Sequence, residues 1–485
     1  MIRVTPGQAW PLFGVARSRE LERLAGIELP VNTLMQRAGS ATAKLALAIS
    51  PHARHIWIAC GPGNNGGDGM EAAVQLARKG KVASVTWMGD PGHLPRDSAI
   101  ARQRAADEGI EFVAGPPEHC DLFVDALLGI GAVVRKPDSR LIGLIGHLNS
   151  AKVPVLSIDI PSGLQADTGF ATDLCVKASH TLSLLTLKPG LFMGSGRDAC
   201  GEIWFDDLGV APVDISRAAT LLPAPPYHPR CHRSHKGTFG DVAIVGGAKG
   251  MTGAAILAAS AALHGGAGRV YVCLVDATSR QDDMALPELM FRDFQTLDVS
   301  ATAVVCGCGG GELISAMMPA LINNAQALVI DADGINVLAN DPELLVLLRH
   351  RASHGSRTVL TPHPLEAARL LKCSTTDVQA DRLAAAEKLS QLTGCVVVLK
   401  GSGTVIAQNG RTLAVNPTGN GRLATAGTGD VLAGMVGAGL AAGLDGFEAA
   451  CQAVYIHGQA ADQWPAHQPL TASALARLEH GFPTG

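Results

Sequence analysis

His55-Ile-Trp-Ile-Ala-Cys60 is a short apolar run that opens straight into Gly61-Pro-Gly-Asn-Asn-Gly-Gly-Asp-Gly69. The run reads as a buried strand. Beyond the turn, Met70 to Lys79 reads as a helix with Gly80 as its C′ residue. Lys81 to Met88 is β-rich and follows at once, so residues 55–88 form a βαβ unit. Two more apolar strands end on aspartate, Leu122–Asp125 and Val155–Asp159. The alternation implies a parallel sheet covered by helices on both faces.

The same rhythm extends over residues 1–210, then fails. Ala-Pro-Val-Asp (211–214) and Leu-Pro-Ala-Pro-Pro-Tyr-His-Pro (222–229) are Pro-rich and mark a domain boundary, giving domains 1–215 and 224–485. His228, Cys231, His232 and His235 in this stretch have no recognised ligand spacing and read as linker. Strands return at Asp241–Val245, Val270–Val275, Ala303–Cys306, Ala327–Asp331, Thr358–Leu360 and Val396–Lys400, with helices at Gly253–His264 and Asp381–Leu392 between them. No repeat relates the halves, so these are two different α/β domains.

Composition sets limits. At 485 residues the chain exceeds one core, and a prior of roughly 150 residues per domain gives two or three. Hydrophobic residues make up 47% and charged residues 17%, which suits buried cores rather than disorder. The net charge of −4 argues against nucleic acid as a partner. Eleven scattered cysteines show no disulfide framework and read as reduced thiols. The start lacks the apolar core of a signal peptide, and the apolar run Val431–Leu444 is too short to span a bilayer. A soluble cytoplasmic protein is expected, with small-molecule partners, no membrane and a homo-oligomeric assembly.

The glycine turn is suited to an anion. Free N–H groups at a helix start attract phosphate, and glycine at five of nine positions lets backbone approach closely. It is not a Walker A loop, since no Gly-Lys-Ser/Thr follows. The alternative is a plain turn capped by Asn65 or Asp68. Asp125 and Asp159 tip the balance, because ligands bind beyond the carboxyl ends of strands in open α/β sheets. Gly129-Ile130-Gly131 follows the first aspartate and Pro161-Ser162-Gly163 the second. Two such carboxylates can transfer protons, or hold a cation with Asn65 and carbonyl oxygens.

In the second half, Ala426-Gly-Thr-Gly-Asp430 leads into the apolar helix. The amides of Gly427, Thr428 and Gly429 can bind phosphate, and Asp430 can take a proton from an attacking hydroxyl; its alternative is a plain N-cap. Val396-Val-Val-Leu-Lys400-Gly-Ser-Gly-Thr404 is a buried strand opening into a turn suited to a nucleotide. His363 stands between two prolines, a rigid presentation, though an ordinary loop histidine fits as well.

Gly61-Pro-Gly-Asn-Asn-Gly-Gly-Asp-Gly69, Val124-Asp-Ala-Leu-Leu-Gly-Ile-Gly131 and Ser157-Ile-Asp-Ile-Pro-Ser-Gly-Leu164, in that order, resemble the NAD(P)H-hydrate epimerase family. Leu34-Met-Gln-Arg-Ala-Gly39 resembles that family's N-terminal helix. The resemblance implies a Rossmann-like three-layer sandwich that interconverts R and S hydrates of NADH and NADPH. It implies substrate contacts at Asn64, Asn65, Gly66, Gly67, Asp68, Gly129, Ile130, Gly131, Ala132, Val133, Val134, Arg135 and Asp159. It places K⁺ on Asn65, Asp125 and Ser162, with Asp159 and Asp125 as the working carboxylates. Ile130 departs from a usual small hydroxyl residue.

The second half resembles the ribokinase-like ADP-dependent NAD(P)H-hydrate dehydratases through His235-Lys-Gly-Thr-Phe-Gly240, Thr252-Gly-Ala-Ala255, Asp331-Ala-Asp333, Thr361-Pro-His-Pro364, Asn416-Pro-Thr-Gly-Asn420 and Gly427-Thr-Gly-Asp430. The resemblance implies hydrate contacts at Ala254, Gly309, His363 and Asp430, and nucleotide contacts at Lys400, Gly401, Ser402, Gly403, Thr404 and Gly429. ADP is the implied co-substrate, with Mg²⁺ and with Asp430 as the base. Cys306-Gly-Cys-Gly-Gly-Gly311 replaces a loop usually written G-P-G-L-G. The competing expectations are an ATP-dependent sugar or hydroxymethylpyrimidine kinase, and a first half that only binds.

Overall fold

The computed structural model describes residues 1–131, 138–171, 173–210, 217–226, 230–276 and 286–478. The chain divides into two compact units, one of Met1–Thr5 with Trp10–Ala219 and one of Pro6–Ala9 with Thr220–Gly485.

The sheet of the first unit runs Ile2–Arg3, Glu202–Asp206, His180–Leu184, Val155–Ile158, Leu122–Ala126, His55–Cys60, Val82–Trp87 and Glu111–Phe112 in spatial order. Among the described residues, only the Ile2–Arg3 pairing of this sheet is antiparallel. Alternate residues of the His55–Cys60 strand serve opposite faces, as a period of two requires. Ile56 and Ile58 join a core with Met35 and Met70 of the covering helices, while Trp57 and Ala59 join one with Phe123, Leu144 and Leu148. Helices thus sandwich the sheet.

One expectation needs correction. The helix after the first strand starts at Asn64, not at Met70, and runs to Ala77. Most of the glycine turn is therefore helix. A Cβ on Gly66 would strike the Gly61 carbonyl, and one on Gly69 would lie 2.6 Å from the Ala126 Cβ. The glycines let the helix lie close against the sheet, which outweighs their roughly 1 kcal/mol helix penalty each. Its N-cap is Gly63 with no side-chain cap bond, so neither Asn65 nor Asp68 caps it. Gly80 takes a φ of 77°, the left-handed conformation expected where the chain turns into the next strand.

The second unit orders its strands Met290–Phe291, Arg269–Leu274, Asp241–Gly246, Ala303–Cys306, Ala327–Ile330, Arg357–Leu360, Val396–Leu399, Val405–Ala407 and Leu413–Val415. Pairing is parallel as far as Val396–Leu399 and antiparallel beyond it. Cys306, Ile330 and Leu360 lie in register, so Asp331 and Thr361 emerge side by side at the carboxyl edge. Over that edge starts the helix Thr428–Ala441, nearly all of whose residues are buried. Gly434 of this helix packs against the Ala258 backbone of the helix Thr252–His264. Among the described residues, no helix is long and apolar enough to cross a membrane.

Candidate active sites

In the first unit a cavity of about 730 Å³ lies over the carboxyl edge of the sheet. Asn64, Asn65, Asp68, Gly129, Ile130, Gly131 and Asp159 line it together. Gly66 and Gly67 are not on its wall; they are buried in the helix. Ala132, Val133, Val134 and Arg135 lie outside the described residues.

Asp159 follows directly on the strand Val155–Ile158, with a φ of 66°. Left-handed backbone at a non-glycine residue costs about 1–3 kcal/mol and persists where surrounding bonds enforce it. Here the Asp159 amide donates to the Leu182 carbonyl at 2.7 Å, and Asp159 Oδ1 accepts from the Leu184 amide at 3.2 Å. Its side chain also pairs with the Lys188 ammonium. Lys188 lines the same cavity, and so does Glu22 from the N-terminal helix Val15–Glu28. Sequence reasoning missed both. Burial, then the charge of Asp159, push the Glu22 carboxyl up, while Lys188 opposes them. Asp68 is pushed well up by burial, with Asp159 and Glu22 adding to it.

Beneath the cavity, Asp125 is wholly buried and accepts from the Ser162 amide at 2.9 Å, the Ser162 hydroxyl at 2.6 Å and the Ser157 hydroxyl at 2.8 Å. Burial raises its carboxyl, and these bonds pull against the rise. Asn65 donates through Nδ2 to the Leu128 carbonyl at 3.1 Å, which turns Oδ1 the other way. That oxygen is buried and has no hydrogen-bond partner among the described residues. An orphaned carbonyl oxygen beside a buried carboxylate and the Ser162 hydroxyl is an all-oxygen donor set that fits a hard cation.

In the second unit Lys400 pairs with Asp331 at 2.7 Å, and Asp331 also accepts from the Thr361 hydroxyl at 2.8 Å. Burial works against the Lys400 ammonium, but Asp331 and Glu366 prevail and raise its pKa. A Cβ on Gly429 would lie 3.3 Å from Lys400 Nζ, so the ammonium borders the first turn of the Thr428–Ala441 helix. The N-cap of that helix is Gly427, at a φ of 90°. Asp430 is therefore inside the first turn and is no cap. Burial and then the neighbouring Asp331 push it up to about 6, against the pull of Cys308 and Lys400.

Around this pair, Gly309 and Ala254 are neighbours, since a Cβ on the glycine would lie 3.0 Å from that of the alanine. The Lys400–Thr404 turn uses left-handed glycines, Gly401 at φ 138° and Gly403 at φ 66°. Buried Arg382 supports it by donating to the Leu399 and Lys400 carbonyls at 3.0 and 3.2 Å. His363 caps the helix Pro364–Leu371, its ring Nδ1 accepting from the Leu365 amide at 3.1 Å while Glu366 bonds back to the His363 amide at 2.8 Å. The rigid presentation thus has a local cause.

Ligand atoms of Cys308, Asp331 and Asp430 lie within 4.8 Å of one another. They do not suit a resident Mg²⁺. A thiol is a poor ligand for that ion, and Lys400 already engages Asp331.

A family model described as NAD(P)H-hydrate dehydratase matches residues 242–481, and one described as YjeF-related protein N-terminus matches residues 31–190. The bifunctional NAD(P)H-hydrate repair enzyme Nnr of Escherichia coli is 37% identical over 473 residues, covering 94% of this chain and 90% of the relative. The chain belongs to the bifunctional NAD(P)H-hydrate repair enzyme family. The member from Leishmania major is 35% identical over 496 residues, covering 92% of this chain and 87% of its own length. The ADP/ATP-dependent NAD(P)H-hydrate dehydratase of Bacillus subtilis, co-crystallised with ATP/Mg²⁺, is 28% identical with a TM-score of 0.42, over 52% of this chain and 91% of that one. Family membership matches the resemblance drawn from the glycine turn and the Gly-Thr-Gly-Asp turn, and with it the expectation of a two-activity enzyme.

Proposed function

We propose that the chain repairs hydrated NADH and NADPH, the first unit interconverting the R and S epimers and the second dehydrating the S epimer at the expense of ADP. The observation that carries the second activity is Asp430, a carboxyl pushed up to about 6 in the first turn of a glycine-led helix that the Lys400 ammonium borders. Asp430 takes the proton of the C6 hydroxyl as that oxygen attacks the β-phosphorus of ADP, and the bond to the bridging oxygen breaks to release AMP. The N1 lone pair then expels phosphate from C6, and loss of a C5 proton restores the dihydronicotinamide ring. The Gly427–Gly429 amides and Lys400 hold the transferred group. Mg²⁺ bound to the nucleotide would offset the charge of its phosphates.

In the first unit Asp159 takes the hydroxyl proton as the N1–C6 bond opens to an aldehyde. The electron pair left on N1 takes a proton supplied by the Asp68 carboxyl. Rotation and reclosure on the other face reverse both transfers. Potassium is assigned to Asn65, Asp125 and Ser162, where its charge would offset the buried carboxylate. A cytoplasmic site of action and a homo-oligomeric assembly are part of the same reading, as are independently folding domains 1–215 and 224–485.

The test is incubation with acid-hydrated NADPH, a mixture of epimers. Complete recovery of dihydronicotinamide absorbance that requires ADP and yields AMP is expected. Recovery stopping at the S fraction removes the epimerase. ATP-dependent phosphorylation of a sugar or hydroxymethylpyrimidine, without hydrate repair, would favour the kinase.

A further inference from the structure

We propose that Lys188 is a positioning residue for epimerisation: its ammonium fixes the Asp159 carboxylate against the cavity and supplies the counter-charge there. The inference rests on the assignment of Asp159 as the proton carrier. Lys188 is 1% exposed, and lysine is almost never buried without a partner. Its three protons find three acceptors: Asp159 Oδ1, the Leu184 carbonyl at 2.8 Å and the Ser183 hydroxyl at 3.4 Å. The last two come from the strand His180–Leu184, so the ammonium is tied to the sheet and Asp159 is tied to the ammonium. The described bonds to the carboxylate fall on Oδ1, which leaves Oδ2 for a ligand's proton.

A pair serving stability alone has no need of this place. Buried ion pairs seldom stabilise more than apolar residues of equal volume, and this one stands on a cavity wall beside a left-handed Asp159. Charge balance supplies the reason. Glu22 and Asp68 face Asp159 across the cavity, and Asp97 lines it too. Arg19 and Arg23, on the same helix as Glu22, are the cations on that side, and Glu71 is taken up by Arg104. A dinucleotide adds its own phosphates. Without Lys188, Asp159 loses the ammonium its side chain pairs with while Glu22 and Asp68 remain near it.

Both activities of the full chain are measured on the same sample of each variant. Lys188→Met is expected to lower epimerase kcat by about 100-fold, in the range of a mispositioned proton carrier, with KM nearly unchanged. The acidic limb of its kcat/KM profile should move to higher pH, while dehydration of pure S hydrate is kept. Lys188→Arg retains the charge in a different shape; the limb should stay near that of the wild type while kcat falls. Should Lys188→Met fail to fold, Lys188→Arg decides, since a structural lysine predicts full epimerase turnover once the chain is folded. Wild-type turnover with an unmoved limb overturns the proposal. Asp159→Asn separates the two levels: if it keeps epimerase activity, the assignment of Asp159 fails whatever Lys188 does.

Discussion

Each unit pairs a lysine with an aspartate at the carboxyl edge of a parallel sheet, but the ammonium falls on different members of the site. In the first unit Lys188 holds Asp159, the carboxylate that faces the cavity. In the second, Lys400 holds Asp331, and Asp430, with no ion pair among the described residues, is pushed up to about 6. The contrast matches the work proposed for each. A carboxylate that gives back the proton it takes is served by a fixed position. One that must strip a proton from a hydroxyl as it attacks phosphorus is served by a raised pKa, close to the operating pH. Lys400 then stays beside the helix start, where a phosphate carries the matching charge.

The largest effect that could break this comparison is the loss of either proposed proton carrier. Asp430→Asn should lower ADP-dependent dehydration by about 10²–10⁴-fold and leave interconversion of the epimers untouched. Asp159→Asn should do the reverse by a similar factor. The check is turnover of pure S hydrate beside the rate of R-to-S conversion on each variant. Equal loss of both activities in either variant would mean that the units are not functionally separate.

The same contrast explains what could be read in advance. Asp125, Asp159 and Asp430 were legible because each ends or follows an apolar strand or a glycine turn, a local pattern with a known chemical use. Lys188 was not. It lies in a run from Leu182 to Phe192 that reads as core, and its meaning depends on a partner 29 positions away. Asp331 likewise gains its role only from Lys400, 69 positions on. The helix start at Asn64 was hidden because glycine propensity argues against a helix, while the close approach to the sheet that requires glycine is tertiary. His363 concealed a capping box by standing where serine or threonine is usual, three residues before Glu366.

A smaller effect concerns the cation assigned to Asn65, Asp125 and Ser162. Potassium should raise the melting temperature of the first unit, because an ion that binds only the folded state stabilises it. Asp125→Ala removes the anionic ligand and strands the donors of Ser157 and Ser162, each costing about 1–3 kcal/mol. It should therefore melt lower and no longer respond to potassium. A variant that keeps the full potassium response places the ion elsewhere.

The smallest expected effect sharpens the comparison most, because it reads Asp430 without any substrate. Its folded pKa, about 6, lies above the ordinary 3.8, so folding disfavours the charged form. Below about 3.8 the carboxyl is protonated in both states and costs nothing. As pH rises the unfolded chain ionises first, and the penalty grows until the folded group also ionises; above about 6 it is complete. Asparagine cannot ionise and carries no such penalty. Asp430 is partly exposed, so the rise from 3.8 to about 6 corresponds to about 1–2 kcal/mol after solvent screening. Asp430→Asn should thus unfold at higher urea than the wild type, with the advantage at about pH 8 near twice that at about pH 5. Asp430 does not cap its helix, so no capping loss offsets the gain. A catalytic variant that is more stable than its parent is the sign of a group held for chemistry against its own ionisation. Equal or lower stability at about pH 8 would show Asp430 to be paired after all, and the two sites to be built alike.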